Sequence, residues 1–191
     1  PNLGLRYAEL VQARLAALDP DNAAYYAGNL EIFRGKVEKM DQAIRAAVAT
    51  VPEGNRKLLT YHDSWAYFAK QYGMEVIGAV QPSNFSQPSV REVAELIDQV
   101  KELGLPAVFG SEVFSSDVLE AIASEADAQF IDDLADDDLP GKPGDPGHTY
   151  LGLMKQNLTA MIPALGGDAS VVAGLDIRNV FDGASGAVYP Q

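Results

Sequence analysis

Between Lys57 and about residue 165, short strand-like runs alternate with helical ones, and that rhythm admits few folds. Leu58-Leu59-Thr60-Tyr61 predicts a strand, and Ser64 to Tyr72 a helix. Val76-Ile77-Gly78-Ala79-Val80 predicts a second strand, followed by a polar loop with Pro82 and Pro88. Ser89-Val90-Arg91-Glu92 has the form of a capping box and opens a helix to Leu103. Ala107-Val108-Phe109 predicts a third strand, and Ser115 or Ser116 caps a helix to about Ala126. Gln129-Phe130-Ile131 predicts a fourth, then come a Gly/Pro/Asp-rich loop and a helix from Thr149 to about Leu165. Strands separated by helices are joined by right-handed crossovers. The expected fold class is therefore α/β, a mainly parallel four-stranded sheet flanked by helices.

The first third is helical instead. Leu3, Tyr7, Leu10, Val11, Leu15 and Leu18 recur at three- and four-residue steps until Asp19-Pro20 ends the run. Asp21-Asn22 offers a new N-cap, and Leu30, Phe33, Val37, Met40, Ile44, Val48 and Val51 then form one stripe. A helix of about 30 residues would be roughly 45 Å long. It either covers the sheet or forms a spine that reaches beyond it. The segments expected are a helical portion over 1–52, an α/β lobe over 57–167 and a tail over 168–191. The tail carries weak strand signals around Val171-Val172.

Charge and composition narrow the function classes. Lys+Arg 14 against Asp+Glu 27 leaves a net charge of −13, which argues against nucleic acid or an anionic membrane as partner. No apolar run reaches the roughly 20 residues that span a bilayer. Cysteine is absent, so disulfides, thiolate metal sites and thiol nucleophiles are excluded. No nucleophile elbow follows a strand, and no phosphate-binding glycine loop is present.

In an open parallel sheet, ligands collect at the carboxyl ends of the strands. Those ends carry His62-Asp63, Gln81, Ser111-Glu112 and Asp132-Asp133. One imidazole with several carboxylates suits a divalent cation. Asp63 has a competing role as the N-cap of the next helix. Asp136-Asp137-Asp138 reads as a solvated run and His148 as a loop residue. That leaves His62 and Asp132 as candidate metal ligands, two where a tight zinc site takes four.

The run His62-Asp63-Ser64-Trp65-Ala66-Tyr67-Phe68-Ala69-Lys70-Gln71-Tyr72-Gly73 resembles the "H-D-x-x-x-Y-F-x-x-x-Y-G" segment of the cluster A-I solute-binding proteins, the metal receptors of ABC importers for zinc and manganese. Pro88 through Lys101 is similar to that family's following helix, and Phe130-Ile131-Asp132-Asp133-Leu134 to its "Y-x-D-x-L" segment. His148-Thr149-Tyr150-Leu151-Gly152-Leu153-Met154-Lys155-Gln156-Asn157 resembles its closing helix. The resemblance implies two lobes joined by a long spine helix, with metal held between them by four ligands. His62 and Asp132 match the two from the C-terminal lobe. The other two belong to an N-terminal lobe that would lie upstream of Pro1, so the chain is expected to correspond to the C-terminal portion and to bind metal weakly alone.

The implied cargo is Zn2+, with Mn2+ as the alternative, since His at position 62 adds nitrogen to the ligand set. The implied partners are a divalent metal ion and an ABC transporter permease, with no nucleic acid. The implied location is periplasmic or at the cell surface, as a soluble or lipid-anchored receptor, and no catalysis is expected. An exposed spine could drive self-association. The competing class is a metal-dependent α/β hydrolase or lyase using His62 and Asp132 on an activated water.

Overall fold

A computed structural model describes residues 1–81, 88–111, 116–135 and 138–180. Helix α1 (Asn2–Leu18) is followed by a short 3-10 turn at Pro20–Asn22 and then α2 (Ala23–Thr50). From there strands and helices alternate: β1 (Lys57–His62), α3 (Ala66–Tyr72), β2 (Glu75–Gln81), α4 (Val90–Leu103), β3 (Ala107–Ser111), α5 (Asp117–Glu125), β4 (Gln129–Leu134) and α6 (Tyr150–Ala164). The strands form one sheet in the order β2-β1-β3-β4, with every pairing parallel. This is the α/β architecture that the alternation of runs predicts.

The sheet is covered on both faces, and strand periodicity shows how. Leu58, Ala107, Phe109 and Ile131 face one core, which α2, α3 and α6 close. Leu59, Tyr61, Val108 and Phe130 face the other, closed by α4 and α5. Successive side chains on a strand point to opposite faces, so adjacent residues fall in different cores. Both-sided burial explains why these strands are continuous apolar runs.

Helix α2 is 28 residues long, and its burial is uneven. Val37, Met40, Ala43, Ile44, Ala47 and Val48 are buried, all in its second half. The first half carries Tyr25 at 53% and Ile32 at 54% exposure and packs against α1 rather than the sheet. Helix α1 leaves Leu3, Tyr7, Leu10 and Leu18 more than half exposed. The helix thus projects beyond the sheet with α1 alongside it.

Three local expectations change. Helix α3 starts at Ala66 with Trp65 at its N-cap and no side-chain capping bond, so Asp63 does not cap it and stands exposed. The residues around Val171-Val172 form a 3-10 turn, not a strand, because Val172 turns into the core beside α2. Strand β4 runs on to Leu134, beyond the expected Ile131. Elsewhere the predicted caps form. Ser89 and Glu92 make the reciprocal capping box of α4, and Ser116 accepts from the Leu119 amide at the start of α5.

Tyr72 ties α3 to the long helix. Its hydroxyl donates to Asp41 at 2.9 Å, and Asn2 of α1 donates to the same oxygen at 2.9 Å. Arg45 donates to the other oxygen at 3.0 Å and lies over the Tyr72 ring. Burial pushes the Asp41 carboxyl upward, but the bonds from Arg45, Tyr72 and Asn2 outweigh it and hold it below the usual carboxylate range. Burial, and then Asp41, push the Tyr72 phenol far above its ordinary value. Gly73 follows in the left-handed region (φ 72°), where glycine carries no steric cost.

Candidate metal site

The candidate site forms at the carboxyl edge of the sheet. His62 ends β1 in register with Gln81, and its carbonyl accepts from the Thr60 hydroxyl at 2.7 Å. Its ring is half-buried and meets Tyr61 edge-on at 4.7 Å. Register links three strands at one level: Thr60 pairs with Phe109, and Phe109 with Ile131. His62 lies two residues beyond that level and Asp132 one residue beyond. β3 runs between their strands, so the two backbones are separated by about 9.5 Å of sheet.

Strict alternation would send Asp132 to the face of Phe130, opposite that of Leu58, Thr60 and His62. A bulge interrupts the alternation directly after Ile131. Phe109 pairs with Ile131 and Ser111 with Leu134, so Asp132 and Asp133 together stand opposite the single residue Gly110. Ile131 and Leu134 accordingly face the same core although they are three apart. Bulges re-aim side chains in this way, often beside functional sites. Gly110 accommodates the bulge: a Cβ there would lie 3.2 Å from the Asp132 Cα and 3.1 Å from the Phe130 ring.

Helix α6 holds the bulge from behind. The Asn157 side chain accepts from the Ala135 amide at 2.8 Å and donates to the Ala135 carbonyl at 2.7 Å. Gln156 donates to the Asp133 carbonyl at 3.1 Å. Thr149 starts this helix, accepting from the Gly152 amide at 2.8 Å. Gly152 is required there because a Cβ would collide with the Gly147 carbonyl.

His62 and Asp132 therefore share one edge. The other sequence candidates fall differently. Asp63 and Asp133 are exposed on the same edge. His148 sits in the loop before α6 with Nδ1 3.1 Å from the Pro140 carbonyl oxygen. Asp138 is exposed, while Glu112, Asp136 and Asp137 lie outside the described residues. Among the described residues, no group of three or more His, Asp or Glu side chains is arranged to hold a metal. Two candidate ligands and an acidic rim could attract a cation but would not complete its coordination. Gly110 and the supporting role of Asn157 were missed in the sequence. A glycine inside a strand pattern is the general signal of close backbone approach.

Among the described residues no helix is long and apolar enough to cross a membrane. Comparison with known proteins agrees with the fold. The chain is 25% identical over 161 residues to the manganese-binding lipoprotein MntA of Halalkalibacterium halodurans, covering 84% of this chain and 53% of that protein. It is 28% identical over 167 residues to the high-affinity zinc uptake system protein ZnuA of Bacillus subtilis, covering 86% and 51%. The iron-binding protein YfeA of Yersinia pestis is 28% identical over 167 residues, covering 87% and 53%. The periplasmic zinc-binding protein TroA of Treponema pallidum superimposes with a TM-score of 0.74 at 26% identity, over 82% of this chain and 58% of that one. The chain thus spans about half the length of the curated relatives it matches. Residues 1–164 match the family of the periplasmic zinc-uptake complex component A, and the chain belongs to that family.

Proposed function

We propose that the chain provides the C-terminal metal-binding lobe of an extracytoplasmic receptor that captures a divalent transition metal and delivers it to an ABC importer permease. Membership in a zinc-uptake family, with His62 and Asp132 at one sheet edge, carries this reading. His62 and Asp132 are two ligands of the ion. The remaining ligands come from a facing lobe of the kind that the relatives' greater length accommodates. The cargo is zinc, because an imidazole beside a carboxylate suits a borderline cation better than an all-oxygen set does. Relatives named for manganese and iron show that family membership does not choose the ion. A receptor of this kind binds and releases without turnover, outside the cytoplasmic membrane.

Calorimetric titration of the chain and of its His62→Ala and Asp132→Asn variants with zinc and with manganese tests this. Weak zinc binding that falls at least about tenfold in each variant supports the assignment. Variants that bind as the parent does would remove both residues from the site.

A further inference from the structure

The family match ends at residue 164, yet the residues after it pack against the fold. This segment leaves α6 at Gly166-Gly167, where Gly167 is pressed against Thr50, Val51 and Ile162 so closely that a Cβ would not fit. The Asp168 amide donates to the Thr50 hydroxyl at 2.7 Å, at the end of α2. Val172 is buried, and Leu175 and Ile177 pack on the same core. Lys155 of α6 donates to the Ala173 carbonyl at 2.6 Å. Further on, Lys36 of α2 reaches Asp176 at 3.1 Å and the Arg178 carbonyl at 2.7 Å. Between those two anchors the Ile177 carbonyl accepts from the Thr149 hydroxyl at 2.6 Å, and Thr149 caps α6.

We propose that residues 168–180 are a latch coupling the long helix α2 to the N-terminus of α6, and through α6 to the Asp132-Asp133 bulge. The links are contiguous: Lys36 to Asp176, Ile177 to Thr149, then along one rigid helix to Gln156 and Asn157, which hold the bulge. Tilting α2 would pull on the segment and so on the backbone that carries Asp132. Packed side chains, hydrogen bonds and a helix between them are the kinds of contact that carry such coupling. The consequence for metal release rests on the proposed receptor function; the mechanical coupling does not.

Residue-resolved amide exchange by NMR, on the chain and on its Lys36→Met and Asp176→Asn variants, tests the latch. Neither residue belongs to the sheet or to α6. The expected result is about tenfold faster exchange in 170–180, in the first turn of α6 and at the Ala135 amide, with β1 and β3 unchanged. Thr149→Ser, which keeps both hydroxyl bonds, should exchange as the parent does, whereas Thr149→Val should reproduce the effect at α6. Acceleration confined to 168–180 would overturn the coupling, as would a uniform rise across the whole chain. Zinc added to the unmodified chain gives a separate readout. If it leaves the His62 and Asp132 signals unmoved, the metal assignment fails while the latch still stands or falls on exchange.

Discussion

The Asn157 side chain grips both backbone polar groups of Ala135, accepting from the amide at 2.8 Å and donating to the carbonyl at 2.7 Å. A buried asparagine thereby extends the order of β4 beyond its last ladder bond and fixes where the bulge ends. Asn157→Leu would strand two buried groups at once. The expected loss is about 2–4 kcal/mol of stability, read by urea denaturation, with faster exchange at Ala135 as the local signature.

Gly110 faces the two-residue bulge across the strand pair, and the tolerance there is narrow. Gly110→Ala would place a methyl 3.2 Å from the Asp132 Cα and 3.1 Å from the Phe130 ring, so β4 must move by a few tenths of an ångström. Overpacking of this kind costs about 1–3 kcal/mol. Chemical-shift mapping should show displacement concentrated at 130–133, and zinc titration should show weaker binding than thermal stability alone would suggest. An unchanged Asp132 environment would show that the bulge does not depend on the glycine.

Acid should loosen the helical layer before the sheet. Arg45, Tyr72 and Asn2 hold Asp41 below its ordinary carboxylate value against the opposing push of burial. Arg178, followed by Lys36, holds Asp176 far below it. A carboxylate depressed in the folded state contributes stability fully above its unfolded pKa of about 3.9, and that contribution is lost as pH falls through the folded value. Stability should therefore be level in this respect above about pH 5 and decline below about pH 4. Asp176 is well exposed to solvent, so its share should shrink in high salt, whereas the Asp41 share should persist. Tyr72→Phe removes one of the bonds to Asp41 and should lower stability by about 1.5–3 kcal/mol while flattening the acid limb. Thermal melts between pH 3 and 7, with and without salt, give both comparisons.

The order of helices and strands, the parallel sheet, the Ser89 cap and a cap at Ser115 or Ser116 were legible in the sequence. Each depends on local chemistry: apolar periodicity, cap hydroxyls and glycine stops act over a few residues. The placement of His62 and Asp132 at strand ends followed from the same alternation. The helix stripe from Leu30 to Val51 left two readings open, because periodicity gives the direction of an apolar face but not what covers it. Tertiary packing settled that question by burying only the second half of α2. It also decided the bulge opposite Gly110, since register depends on the neighbouring strand and on Asn157 more than twenty residues away. Asp63 lost its expected capping role for a similar reason: with Trp65 buried in the core, α3 begins at Ala66. The course of residues 168–180 lay furthest from local signals. Their anchors Thr50, Lys36 and Thr149 are remote in sequence, and only the folded chain brings those donors to the carbonyls and carboxylates that they hold.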